Sequence, residues 1–183
     1  MDNFIPELLS YATFTAVFGF LGKSLYDLLI DRRKANLAYI NSQIEKLYGP
    51  LFILDNAGTT AYQTFLKKIG REGDPSLDQP LSEEEIKEWA LWVEDIFMPI
   101  NLEMENIIKQ NSHLLNEKDT PKPILDFICH VTVYKTVLKK WKSNQFNEIF
   151  SLIDFPEDFT TYIQKSYTEL KQKQYEYLKK LKI

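Results

Sequence analysis

The chain has 183 residues, a length typical of one domain with a short appendage. Its 22 Lys and Arg residues against 26 Asp and Glu residues give a formal net charge of −4. This balance argues against nucleic-acid binding, because that function needs a basic surface. With only 6 Gly and 8 Pro, the chain is poor in turn formers, so we expect long helices. The single cysteine, Cys129, excludes an intrachain disulfide and any cysteine-based zinc site.

The N-terminal segment is unusually apolar. Residues 8–22 carry no charged side chain, and the segment extends to residues 4–24 if Glu7 is tolerated and Lys23 snorkels toward the lipid headgroups. A bilayer span needs about 20 mainly apolar residues, so we predict a transmembrane helix here. A cleaved signal peptide is disfavoured, because the first seven residues include Asp2 and Glu7 but no base. A buried core helix or an interfacial helix remains an alternative.

The charges that flank this segment are asymmetric. No base precedes the apolar run, and four follow it: Lys23, Arg32, Arg33 and Lys34. The positive-inside rule then places the N-terminus outside and the remaining chain in the cytoplasm. We therefore predict a single-pass protein of the inner (cytoplasmic) membrane. Its two parts are an anchor helix with a basic flank, residues 1–34, and a cytoplasmic helical domain, residues 35–183.

Apolar periodicity divides the second part into helices. We expect them over residues 35–48, 51–69, 83–115, 123–143 and 157–181, with loops at 70–82 and 116–122 and a linker at 145–156. Gly49-Pro50 predicts a break between the first two helices, and Pro99 predicts a kink or a break within the third. Ser82 and Glu85 form a capping box at the start of the third helix.

These elements predict an all-α fold, a four- to five-helix antiparallel bundle preceded by the N-terminal apolar helix. In the last helix, six residues follow one another at alternating spacings of four and three, like the seam of a coiled coil: Ile163, Tyr167, Leu170, Gln174, Tyr177 and Leu181. That pattern fits either an ordinary bundle helix or a short C-terminal coiled coil. No repeat of the length found in solenoid proteins is evident.

Catalytic motifs are scarce. Asp126 and His130 lie four residues apart on one predicted helix, so they could form a pair that orients a general base, although an ordinary surface or half-buried pair fits the spacing equally. Cys129 lies in an apolar run and is expected to be a small core residue. No nucleophile elbow, phosphate-binding loop or dinucleotide fingerprint occurs. We therefore expect no enzymatic activity, no cofactor and no metal site.

Trp92 is a candidate surface residue. Trp89 lies on the apolar stripe of the third predicted helix, whereas Trp92 falls one step off it. Full exposure of Trp92 would indicate a partner surface or a membrane contact, and partial burial would indicate packing at a helix edge.

Four segments of the chain together resemble an uncharacterised family of small bacterial proteins with a predicted N-terminal membrane helix and a helical cytoplasmic domain. They are QIEKLYGPLF (43–52), EWALWVEDIFMPINLEM (88–104), ILDFICHVTVYKTVLKKW (124–141) and DFPEDFTTYIQKSYTELKQKQ (154–174). The resemblance implies membrane anchoring and a bacterial source, and it adds no chemistry. Among the residues that carry it, Asn101 and His130 are the polar ones.

Three functions follow as hypotheses. The first is a membrane-anchored, non-enzymatic interaction or sensor module with a protein partner or a second copy of itself. The second is a membrane-acting stress or phage-defence effector that assembles through its N-terminal helix. The third is an enzyme or ligand-binding bundle that uses Asp126 and His130. The candidate partner or ligand residues are Trp92, Asn101, Asp126 and His130.

Overall fold

The computed structural model describes the backbone of residues 4–73, 80–143 and 155–181, and the side chains of these ranges from Ala16 onwards. The described chain is all helical, as predicted, and forms four continuous helical segments. The first segment contains α1 (Phe4–Gln43), a π-helical stretch (Ile44–Tyr48) and α2 (Gly49–Lys68). The second contains α3 (Glu83–Trp92), a π-helical stretch (Val93–Phe97), α4 (Met98–Asn111) and a 3₁₀ turn (Ser112–Leu114). The last two are α5 (Lys122–Lys142) and α6 (Glu157–Leu181).

The predicted break at Gly49-Pro50 is wrong, because the helix continues through it as a π-bulge. The amide of Gly49 donates to the carbonyl of Ile44, five residues back, instead of four. The predicted kink or break at Pro99 is likewise a π-bulge, with the amide of Met98 donating to Val93. A proline cannot donate a helical hydrogen bond, and one extra residue in the preceding turn accommodates that loss without ending the helix. We call Ile44–Tyr48 the first π-bulge and Val93–Phe97 the second.

Several local predictions are confirmed. The hydroxyl of Ser82 accepts from the amide of Glu85 while the Glu85 carboxylate accepts from the amide of Ser82, so the capping box starts α3. Gly70, with a φ of 74°, follows the end of α2 in the left-handed region that glycine favours. Pro123 lies in the first turn of α5. Most of the predicted linker, residues 145–154, lies outside the described residues, as do residues 74–79 of the first loop.

The helices form two compact units, one of Ser42–Lys171 and one of Met1–Asn41 with Gln172–Ile183. In the first, the central unit, the fully buried side chains come from all four helical segments: Leu47, Tyr48, Leu51, Phe65, Met98, Met104, Phe127, Phe159 and Ile163. The rings of Phe127 and Phe159 stack at 4.1 Å and join α5 to α6. Lys68 at the end of α2 pairs with Glu88 on α3, whereas Gly58, earlier in α2, faces Ile100 on α4. The first helical segment therefore runs antiparallel to the second here.

In the second, the terminal unit, α1 and the last turns of α6 are joined by hydrogen bonds. Asn36 donates to the hydroxyl of Tyr177 at 3.1 Å, and Gln174 donates to the side-chain oxygen of Asn41 at 2.8 Å. Two residues of the predicted coiled-coil seam, Gln174 and Tyr177, therefore contact α1 of the same chain. This pairing agrees with an ordinary bundle helix.

The predicted transmembrane helix is not supported by the structure. Within the described part of the chain, no helix is both long enough and apolar enough to cross a bilayer. The backbone of residues 4–24 is helical, and the side chains of this range before Ala16 lie outside the described residues.

Candidate functional site

The two π-bulges have closely similar sequences. Aligned from their first residues, the two stretches read IEKLYGPL (44–51) and VEDIFMPI (93–100). The two stretches match in an apolar residue, a glutamate, a second apolar residue, an aromatic residue, a proline and a third apolar residue at equivalent positions. The match spans only eight residues, which is shorter than the repeats of solenoid proteins, so a search for such repeats does not reveal it. Because π-bulges often occur at functional sites, both stretches are candidate sites.

The first π-bulge leaves almost no room for a side chain at position 49. A Cβ atom built on Gly49 would overlap the carbonyl oxygen of Ile44, which accepts the hydrogen bond from the Gly49 amide. The same Cβ would also come within 3.8 Å of the ring of Tyr167 on α6. Glycine at this position therefore permits the tight approach of the bulge to its own preceding turn.

An open groove of about 450 Å³ lies beside the first π-bulge within the central unit. It is lined by Ile44, Glu45, Gly49, Pro50, Ile53, Leu54 and Glu103. Most of its wall is apolar, and Ile53 is 68% exposed to solvent. Glu45 lies on the first π-bulge and Glu103 lies on α4, so carboxylates from two elements border the apolar surface. We call this surface the acidic-rimmed groove.

On the buried side of the first π-bulge, Tyr48 belongs to a polar network. Its hydroxyl lies 2.9 Å from the hydroxyl of Tyr162 on α6, and it accepts a hydrogen bond from the amide of Asn116 at 3.3 Å. Tyr162 in turn donates to the carboxylate of Glu117 at 2.9 Å. Gln43 donates to the carbonyl of Leu114 and to the side chain of Asn116, both at 2.8 Å. The network ties the loop after α4 to the bulge and to α6.

The protonation of the two tyrosines limits what this network can do chemically. Burial raises the pKa of Tyr48 above its usual range, and the hydrogen bond with Tyr162 only partly opposes this. Burial, followed by the hydrogen bond with Tyr48, raises the pKa of Tyr162 further. Both phenols therefore stay neutral at physiological pH, so neither supplies a phenolate base or nucleophile. The network is best explained as structural.

Asp55 is the most unusual carboxylate of the central unit. It is 3% exposed, and its Oδ1 atom accepts a hydrogen bond from the hydroxyl of Thr160 at 2.8 Å. Its Oδ2 atom is buried and has no hydrogen-bond partner among the described residues. Burial raises the pKa of Asp55 above 3.8, although the hydrogen bond from Thr160 acts in the opposite direction. Sequence reasoning missed Asp55, because nothing in its local pattern distinguishes it from a surface acid.

The structure does not form the predicted pair of Asp126 and His130. Asp126 makes an ion pair with Lys122, one turn earlier on α5. His130 is buried at 4% exposure, and its ring packs 4.7 Å from Tyr134 and 5.4 Å from Phe155. The imidazole therefore packs between a ring of its own helix and Phe155, which precedes α6. Nothing in the geometry of these two residues supports acid–base chemistry by the pair.

Trp92 and Asn101 lie inside the bundle. Trp92 is partly buried, donates from its indole nitrogen to Glu88 at 2.6 Å, and packs against Phe65 at 5.6 Å. Trp89, Phe97 and Tyr62 complete this aromatic cluster. The partial burial agrees with packing at a helix edge. Asn101 is 8% exposed on α4, so it offers little surface to a partner.

Cys129 is exposed on α5, so the prediction of a core cysteine is wrong. Its neighbours Phe127, His130 and Val131 fill the buried face of the helix and turn Cys129 toward solvent. The apolar sequence around it conceals this, because helical geometry alternates the faces within the run. In the ranges covered by the structure, no group of three or more His, Cys, Asp or Glu side chains is arranged to hold a metal ion.

Several charged side chains form ion pairs within or between the described helices. Arg71 binds both carboxylate oxygens of Glu85, at 2.7 and 3.0 Å. Glu105, buried on α4, accepts from Lys109 and Lys135 at 2.7 Å each. Burial alone would raise the pKa of Glu105, but the two ammonium groups outweigh this and lower it. Further ion pairs join Lys68 to Glu88 and Lys142 to Glu94.

A second exposed apolar surface lies on α1 in the terminal unit. Its large apolar side chains are between 50% and 72% exposed: Val17, Phe18, Phe20, Leu21, Leu25, Leu28 and Leu29. We call them the apolar band. Soluble proteins rarely expose so many neighbouring large apolar side chains, and such surfaces mark contact sites for lipid or protein.

Comparison with known proteins identifies no relative of this chain. No protein-family model, no curated protein and no solved structure matches the chain. The resemblance to an uncharacterised bacterial family therefore stays a prediction, and the acidic-rimmed groove and the apolar band are the surfaces that indicate a function.

Proposed function

We propose that this protein is a non-enzymatic helical interaction module that attaches to a lipid bilayer through the apolar band of α1 and faces the cytoplasm with its remaining helices. The apolar band is the observation that carries this proposal. Burying one Leu or Phe side chain contributes about 1.5–3 kcal/mol. Transfer of all side chains of the apolar band from water to an apolar environment is therefore strongly favourable. A bilayer supplies an apolar environment of sufficient extent to bury all of them.

The distribution of residues along α1 supports a lipid contact. Val17, Leu21, Leu25 and Leu28 follow one another at helical spacing, so they share one side of the helix. Lys23, Asp27 and Asp31 share another side. Basic residues are concentrated after the apolar run, where each contributes about 1 kcal/mol of attraction to an anionic membrane surface.

The proposal is tested by flotation of the full-length chain with vesicles of phosphatidylglycerol and phosphatidylethanolamine. We expect the chain to float with the vesicles, and a variant carrying Leu21→Asp, Leu25→Asp and Leu28→Asp to stay at the bottom of the gradient. All three side chains are exposed, so the substitutions should leave the helical circular dichroism unchanged. Leu125→Asp, at a position 55% exposed on α5, is the control and should float normally.

Two outcomes would refute the proposal. A wild-type chain that remains a monomer in the aqueous fraction would do so, and so would equal flotation of the wild type and the triple variant. Carbonate extraction then separates the two modes of attachment, because a spanning helix resists extraction and an interfacial helix is released.

Orientation can be measured with the native cysteine. Cys129 is exposed and is the single cysteine of the chain, so a membrane-impermeant maleimide reports the side on which α5 lies. We expect labelling in inverted inner-membrane vesicles and protection in intact spheroplasts. The reverse pattern would place the helices after α1 on the opposite side.

A further inference from the structure

The acidic-rimmed groove combines an exposed apolar surface with two carboxylates. Its floor presents apolar side chains to solvent, with Ile53 68% exposed. Ile44, Gly49 and Pro50 line the same surface, so part of the wall of the groove comes from the first π-bulge and the residues that follow it.

The two carboxylates at the rim belong to exposed residues. Within the described ranges of the chain, neither the Glu45 side chain nor the Glu103 side chain makes an ion pair or a hydrogen bond. In contrast, other glutamates at helix contacts each hold a lysine or an arginine: Glu85, Glu88, Glu94 and Glu105. Two unpaired negative charges beside an apolar surface complement a partner that combines apolar and basic side chains.

We propose that the acidic-rimmed groove binds a basic amphipathic helix of a partner protein. An apolar side chain of that helix packs against Ile53 and Leu54, and Lys or Arg residues one turn away pair with Glu45 and Glu103. This is the usual mode in which a helix occupies a groove, with anchors at helical spacing. The same rim repels nucleic acids and anionic lipid headgroups. The proposal names the partner of the interaction role proposed above, but it does not depend on attachment to a bilayer.

The experiment selects binders from a displayed library of random helical peptides against the immobilised full-length chain. We expect the enriched peptides to combine Leu, Ile or Phe with Lys or Arg at helical spacing. Binding of the best peptide, synthesised with a fluorophore, is then measured by anisotropy. Its dissociation constant should rise about tenfold or more when Glu45→Lys and Glu103→Lys are combined, and it should rise on addition of salt. Ile53→Ser should also weaken binding.

Two substitutions outside the groove serve as controls. Asp95→Lys introduces the same kind of charge change at the second π-bulge, and Leu125→Ser removes another exposed apolar side chain, 55% exposed on α5. Both should leave the dissociation constant unchanged. All substituted positions are exposed, so circular dichroism should show a folded chain in each case.

Three results would overturn the proposal. The first is a selection that enriches no basic amphipathic sequence. The second is a peptide that binds the groove variants and the wild type equally. The third is a dimer of the wild-type chain that dissociates in the combined Glu45→Lys and Glu103→Lys variant, because the occupant would then be a second copy. Vesicle flotation of the same variants should stay normal, so a failure here is distinct from a failure of bilayer attachment.

Discussion

Gly49 and Gly58 both lie in α2, yet the structure predicts opposite effects for their replacement by alanine. At position 58 the new methyl group would lie 3.9 Å from the Ile100 side chain, an ordinary van der Waals contact. Alanine is favoured over glycine within a helix by about 1 kcal/mol, so Gly58→Ala should stabilise the fold by about that amount. At position 49 the same methyl group would overlap the carbonyl oxygen of Ile44.

The cost at position 49 can be estimated from what must move. The first π-bulge has to open, which costs about 1–3 kcal/mol for overpacking, and it loses the hydrogen bond from the Gly49 amide to Ile44, worth about 1 kcal/mol. After the gain in helix propensity, Gly49→Ala should destabilise the fold by about 1–3 kcal/mol. For a chain of this length that corresponds to a fall of roughly 2–12 °C in Tm.

Urea unfolding followed by circular dichroism measures both variants against the wild type. We expect the free energy of unfolding to rise for Gly58→Ala and to fall for Gly49→Ala. The two substitutions are chemically identical and lie in one helix, so differences in the unfolded chain largely cancel. Equal stabilisation by both would refute the argument that the first π-bulge requires glycine.

Further predictions concern single residues. Asp55→Asn should stabilise the fold at neutral pH. Because the pKa of Asp55 is raised in the folded state, the protonated carboxyl costs no stability below about pH 3.8, and stability is lost as the pH rises through the pKa of the folded state. The difference in free energy of unfolding between the variant and the wild type should therefore vanish in acid. Urea unfolding at a series of pH values measures it. Phe127→Ala should lower the free energy of unfolding by about 3–5 kcal/mol, because it removes a fully buried ring stacked on Phe159; a loss below about 1 kcal/mol would contradict that packing. His130→Gln should lower thermal stability, and Asp126→Asn should change it little. Equal losses in the two variants would argue for a coupled pair.

Pro50 and Pro99 show that a proline within a helical pattern does not by itself end a helix. Pro50 and Pro99 each predict an interruption, and that expectation is correct about the missing amide donor. Each helix continues, because the preceding turn takes up one extra residue and the buried side chains on both sides of the bulge hold the axis in place. The matched sequences of the two stretches were visible beforehand, but a π-bulge depends on tertiary packing that no short pattern contains.

The predicted site residues also differ from those that the structure brings together. Asp126 and His130 are four residues apart on a helix, and this spacing allows a contact but does not require one. Asp126 pairs instead with Lys122, which lies one turn earlier on α5. Asp55 and Tyr48 have no local signal at all. Their burial arises because α6 packs Thr160 and Tyr162 against them, more than a hundred residues later in the chain.

The sequence by itself determined the helical class, the capping box at Ser82, the loops after α2 and α4, and the apolar character of the first helix, because each depends on composition or on neighbours within one or two turns. Only the tertiary structure decided which faces are buried. It exposed Cys129, enclosed His130, and placed Glu45 and Glu103 at the rim of an open apolar groove. The physical reason is that burial and ion pairing depend on which helices meet, and that is set by packing of the whole chain.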